Sequence, residues 1–137
     1  LNQLRHARMF RTVSDIKRHM KRHAAILRPK FETVEKELQE QLADTGVARW
    51  TTPKGGYFIS LYVLEGCAKR VEQLCANAGM ILTPAGATYP YGTDPKDSNI
   101  RIAPSYPSIE EIEKASEVLA LAVRYAALEK LLSDKEN

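Results

Sequence analysis

A permanent cation stands inside a sheet-forming segment. Asn99-Ile100-Arg101-Ile102 reads as a short strand with a guanidinium between two isoleucines. Neighbouring strand residues point to opposite faces. With Ile100 and Ile102 turned into a core, Arg101 projects from the other side. A guanidinium presents a planar fork of donors that matches a carboxylate or phosphate through two parallel bonds. Fixed on a strand rather than a loop, it loses little freedom on binding, which suits substrate orientation. An arginine on a solvated sheet face is the plainer alternative that strand geometry alone leaves open.

Other residue pairs suggest chemistry less well. His19 and His23 share the i, i+4 spacing of zinc proteases, with His6 nearby. The residues between them lack the glutamate that serves as general base in such a protease, and no third ligand is placed. Solvated or interdomain histidines are therefore expected, and no metal site. Cys67 and Cys75, eight apart on a predicted helix, cannot meet in disulfide geometry. They read as reduced thiols of an intracellular protein.

The elements around Arg101 are marked by periodicity and punctuation. From about Ser14 to Ala43, apolar residues at Leu27, Phe31, Val34, Leu38 and Leu42 form one helical stripe. Thr12 or Ser14 can cap its start and Gly46 its end. Pro29 either kinks one long helix or opens a second one. Val47 to Thr51 predicts a strand, Pro53-Lys54-Gly55-Gly56 a turn, and Tyr57 to Val63 a second strand pairing antiparallel with the first. A helix follows from Gly66 to Ala78, stopped by Gly79, then a minimal strand at Met80-Ile81-Leu82. Residues 83 to 98, "TPAGATYPYGTDPKDS", form a long loop of the kind that is usually functional. After the Arg101 strand, Ser108-Ile109-Glu110-Glu111 is a capping box opening a helix to about Leu131. The fold class is α/β: a two-layer sandwich of a three- to four-stranded, mainly antiparallel sheet with helices on one face, preceded by a long kinked helix.

A chain of 137 residues, 44% hydrophobic and 27% charged, suits one globular domain, with no run apolar enough to span a bilayer. The net charge of +3 hides a basic end: nine cations, Arg5, Arg8, Arg11, Lys17, Arg18, Lys21, Arg22, Arg28 and Lys30, against Asp15 in the first thirty positions. Such a segment could attract nucleic acid, but no recognised nucleic-acid-binding motif accompanies it. A protein-docking module using this segment and the bare sheet face is a further alternative.

The ordered set Trp50-Thr51-Thr52-Pro53-Lys54-Gly55-Gly56-Tyr57-Phe58, Leu82-Thr83-Pro84-Ala85-Gly86, Asn99-Ile100-Arg101-Ile102 and the capped helix resembles the C-terminal small domain of fold-type I pyridoxal-phosphate aminotransferases. It is most similar to their aspartate-aminotransferase-like subgroup. "RHMKRHAAILRPKF" matches the segment linking large to small domain, so the resemblance covers essentially the whole chain. It implies that Arg101 grips the α-carboxylate of an amino-acid substrate, that Tyr57 and Phe58 wall the substrate side chain, and that Thr88 and Tyr89 lie on a closing loop. The implied reaction moves an amino group between an amino acid, aspartate being the candidate donor, and a 2-oxo acid. The resemblance further implies residues 1–45 as an interdomain linker helix region and 46–137 as the small-domain sandwich. The large domain, expected upstream of Leu1, would hold pyridoxal 5′-phosphate covalently on a lysine; no lysine here sits in a matching context. A chain opening on Leu1 rather than Met fits an excised piece, expected to be inactive alone. The whole enzyme is expected to be a cytoplasmic homodimer that binds neither nucleic acid nor membrane.

Overall fold

The computed structural model describes residues 1–136. A short helix α1 (Asn2–Met9) precedes α2 (Val13–Leu42), which runs unbroken through Pro29. Of the two alternatives at that proline, one continuous helix is the outcome. Proline removes one backbone donor there, the one that would reach the carbonyl four residues earlier, and the Pro29 carbonyl itself accepts the Thr33 hydroxyl at 2.9 Å. Thr12 caps α2 reciprocally with Asp15, its hydroxyl accepting from the Asp15 N–H and its own N–H donating to the carboxylate at 3.0 Å. After a single 3₁₀ turn, Gly46 takes the left-handed conformation (φ 69°) that reverses the chain.

The sheet comprises β1 (Ala48–Trp50), β2 (Ile59–Val63) and β3 (Asn99–Ile102), in that spatial order and antiparallel throughout. Between β2 and β3 lie α3 (Ala68–Asn77) and the loop; α4 (Ile109–Glu136) closes the described chain. Ser108 caps α4 as the sequence predicts: its N–H donates to Glu111 at 2.7 Å, and the Glu111 N–H donates to its hydroxyl at 3.3 Å. Donation from the Ser108 N–H, and then from its side chain, holds the Glu111 carboxyl below the ordinary carboxylate range.

The core lies on one side of the sheet. Ile59, Leu61 and Val63 of β2 and Ile100 and Ile102 of β3 pack with Val34, Leu38 and Leu42 of α2, Val71 and Cys75 of α3, and Ile112, Leu119 and Val123 of α4. Burial on this face follows the alternation of β2 strictly, while the intervening Ser60 and Tyr62 face the other way. The predicted α2 stripe is the buried stripe, though only from Val34 onward; Val13, Ile16, Met20 and Ile26 are exposed.

Three local readings need correction. No strand forms at Met80–Leu82: Ile81 is 93% exposed and the segment stands off the free edge of β3. β2 starts at Ile59, so Tyr57 and Phe58 precede it. Helix α4 continues one turn and more beyond Leu131 because its last residues, including Lys130 paired to Asp134, tolerate solvent on all sides. Cys67 and Cys75 are separate buried thiols, and burial pushes the Cys75 thiol up to about 11.

Candidate functional site

Arg101 projects from the sheet face opposite the core. Its register partner is Ser60, and Ile100 and Ile102 on either side of it are buried at 1% and 8% exposure. The side chain is half-buried. Its guanidinium carbon lies 4.5 Å from the centre of the Phe58 ring, so the aromatic face supports the planar cation. Its Nε is enclosed and has no hydrogen-bond acceptor. A buried donor of a permanently charged group without a partner is costly. A carboxylate or phosphate brought to that fork would remove the cost.

A cleft of about 190 Å³ opens at this position. Met80, Leu82 and Thr83 line one side, Arg101, Ala103 and Pro104 the other, with Ile112 and Leu119 of α4 among the deeper residues. The cleft exists because the 80–82 segment does not pair with β3. It is smaller than the ~300–1,000 Å³ of a complete ligand pocket, so it has the dimensions of part of one. A larger groove of about 410 Å³ runs along Leu121, Tyr125, Leu128 and Leu131 of α4 beside Val47. Its lining is mostly apolar and away from Arg101, so anion chemistry points to the smaller cleft.

The loop between α3 and β3 is fastened at many points. The Asp94 carboxylate accepts the backbone N–H of Lys96 at 3.0 Å and those of Ser98 and Asn99 at 2.8 Å. Partial burial pushes that carboxyl upward, but the three donors outweigh it and hold the group below the ordinary range. Ala85 N–H donates to Glu72 of α3 at 2.8 Å. Gly86 (φ 87°) is packed so closely that a Cβ there would collide with the Gly92 carbonyl, so only glycine fits. The Thr88 hydroxyl donates to Asn99 Oδ1 at 2.6 Å, and Asn99 Nδ2 donates to Ser60 Oγ at 2.8 Å.

The structure thus brings together two of the sequence-selected residues directly, Arg101 and Phe58, and ties a third, Thr88, to the same sheet face through Asn99. Tyr57 is half-exposed beside Phe58. Tyr89 lies in the loop, its N–H donating to the Gly86 carbonyl at 2.9 Å. Sequence reading missed Ser60 and Asn99. Their signal was available in principle, since both fall on alternate strand positions facing the same way as Arg101.

The basic N-terminal segment is elsewhere. Its rings form a row, His6 stacked on Phe10, Phe10 tilted against His19 and His19 tilted against His23, with the centres of the last pair 4.4 Å apart. Among the described residues, no group of three or more histidine, cysteine or acidic side chains converges on one point. At the other end of α2, Lys30 reaches the turn after β3, donating to the carbonyls of Ser105 at 2.8 Å and of Pro107. That contact ties α2 to the segment leaving the Arg101 strand.

Residues 1–135 match the family model described as aspartate amino-transferase. An aspartate aminotransferase of Corynebacterium glutamicum is 49% identical over 129 residues, covering 94% of this chain and 30% of that protein. The crystal structure of an aspartate transaminase from the same species superposes with a TM-score of 0.91 at 49% identity, again over 94% of this chain and 30% of that one. An α-aminoadipate aminotransferase from Thermus thermophilus, complexed with N-(5′-phosphopyridoxyl)-L-leucine, shares the fold alone: 18% identity and a TM-score of 0.71 over 82% of this chain and 28% of that one. The chain spans about a third of the length of the curated relatives it matches most fully.

Proposed function

The chain belongs to the aspartate aminotransferase family, and we propose that it is the C-terminal, substrate-carboxylate-binding domain of a pyridoxal-phosphate-dependent aminotransferase. The substrates in this reading are an amino acid, aspartate foremost given the Corynebacterium relative's name, and a 2-oxo acid. Residues 1–45 link to the large domain, residues 46–137 form the small one, and the whole enzyme is a cytoplasmic homodimer.

The single observation that carries the reading is the state of Arg101: a strand-borne guanidinium, seated on Phe58, with a buried Nε that has no acceptor. A substrate α-carboxylate supplies the acceptor, and the fork fixes its orientation bidentately. Phe58 holds the plane of the cation; in this reading Tyr57 beside it walls the substrate side chain, and Thr88 and Tyr89 lie on a closing loop, although none of these three lines the cleft itself.

Pyridoxal 5′-phosphate, when bound, supplies the electron sink for amino-group transfer. The residues at Arg101 do not fit that cofactor: among the described residues no lysine lines the cleft. Lys30, Lys96 and Lys130 are committed to backbone carbonyls, Glu65 and Asp134. In this proposal the remainder of the longer protein holds the cofactor, and this chain contributes the carboxylate anchor.

The test is Arg101→Lys in the full-length protein, assayed with L-aspartate and a 2-oxo acid. A point charge cannot reproduce the fork, so kcat/KM should fall about a hundredfold while the absorbance of the bound cofactor stays unchanged. Turnover within twofold of the parent overturns the assignment. The 137-residue chain by itself should form no borohydride-stable pyridoxal phosphate adduct at one defined lysine.

A further inference from the structure

The geometry points to a positioning residue beside the anchor. We propose that Asn99, locked between Thr88 and Ser60, keeps the sheet face next to Arg101 rigid and uncharged, so that the guanidinium remains presented to the substrate carboxylate rather than neutralised by the protein. The inference rests on the reading of Arg101 as that anchor.

Asn99 is 2% exposed and lies two residues before Arg101, on the same face of β3. Its hydrogen bonds have a defined direction. Oδ1 can only accept, so the Thr88 hydroxyl at 2.6 Å must donate to it. Nδ2 therefore faces Ser60 and donates at 2.8 Å. The Asn99 backbone N–H is held in turn by Asp94. Ser60 sits directly opposite Arg101, and its own N–H donates to the Thr51 hydroxyl at 3.0 Å. A continuous relay thus runs from the loop across β3 and β2 to the end of β1. It passes the base of the Arg101 side chain, while Phe58 supports the head.

Neutrality is the second half of the device. An aspartate at position 99 could keep both contacts, because the Ser60 hydroxyl can rotate to donate. It would also set a buried carboxylate two residues from an arginine whose Nε lacks an acceptor, and the two would pair. Asparagine provides the same shape without the charge. The loop's own acid, Asp94, is occupied by three backbone donors. The relay also ties the loop that begins at Thr83, a residue of the cleft lining, to the sheet.

Thr88→Val, Asn99→Asp and Arg101→Lys in the full-length, cofactor-loaded protein provide the test, with KM and kcat for L-aspartate measured separately and thermal midpoints recorded. Thr88→Val should raise KM about three- to tenfold with kcat within twofold, the signature of lost uniform binding, and Thr88→Ser should restore it. Asn99→Asp should raise KM at least tenfold through internal pairing of the anchor, with a thermal midpoint near the parent's. Unchanged KM in both variants, alongside a strong Arg101→Lys defect, makes the relay merely structural and overturns this inference alone. Unchanged KM in all three variants removes the anchor assignment itself.

Discussion

The two faces of the sheet are built from the same strands by opposite means. On the helix-covered face, Ile59, Leu61 and Ile100 are enclosed by apolar side chains from α2, α3 and α4. Their packing is tight but carries no direction. On the other face, Thr88, Asn99, Ser60 and Thr51 are linked by hydrogen bonds with assigned donors and acceptors, and Arg101 is left with a buried donor unsatisfied. One face holds the fold together; the other keeps a charged group ready at some cost to the fold. Residues 100 and 101 are neighbours in sequence and belong to different halves of this division.

The sharpest way to break that comparison is to truncate the packed face. Ile59→Ala or Leu38→Ala, both fully buried, should each cost about 2–5 kcal/mol in urea denaturation. A loss under about 1 kcal/mol would mean that the core does not dominate stability. Next in size is the response of the same face to alkali. The folded protein holds the Cys75 thiol protonated up to about 11, whereas the unfolded chain releases that proton near 9.0. Between those values the unfolded state binds fewer protons, so stability falls as pH rises, by up to about 1 kcal/mol per pH unit. The difference between urea midpoints at the two ends of this window should be smaller in Cys75→Ala, which keeps only the Cys67 thiol.

Smaller effects sharpen the division. Ser108→Ala removes the hydroxyl that caps α4 and should cost about 1 kcal/mol, as read by the thermal midpoint. The smallest stability change is expected at the residue with the largest functional one. Arg101→Leu should shift stability by less than about 1 kcal/mol, and in the stabilising direction, because it deletes an unsatisfied buried donor. A destabilisation comparable to that of Ile59→Ala would show that Arg101 is structural and would erase the distinction between the faces.

Much of this architecture could be read along the chain. The α2 stripe, the Ser108 box, the turn at Gly46 and the alternation around Arg101 are local signals with spacings of two to four residues, and each appears in the structure. The segment Met80-Ile81-Leu82 shows where such signals stop. Its residue types favour a strand, yet a strand needs a partner, and here the chain leaves α3 and stands away from β3. Asn99 is a related case. Nothing in its type reveals that it bonds Thr88, 11 residues before it, and Ser60, 39 before it. Phe58 was legible as an aromatic near the site, but its place beneath the Arg101 guanidinium was not.

By itself, then, the sequence determined the principal helices and strands, the face on which Arg101 emerges and the family to which the chain compares, because periodicity, capping and strand alternation depend on residues close together in the chain. Only the tertiary structure decided that the guanidinium keeps an unpaired donor, that a cleft opens beside it, and that a neutral asparagine joins loop to sheet at its base. Those features depend on which distant groups meet and which do not. Hydrogen-bond direction and charge pairing are properties of such meetings, and no local pattern encodes them.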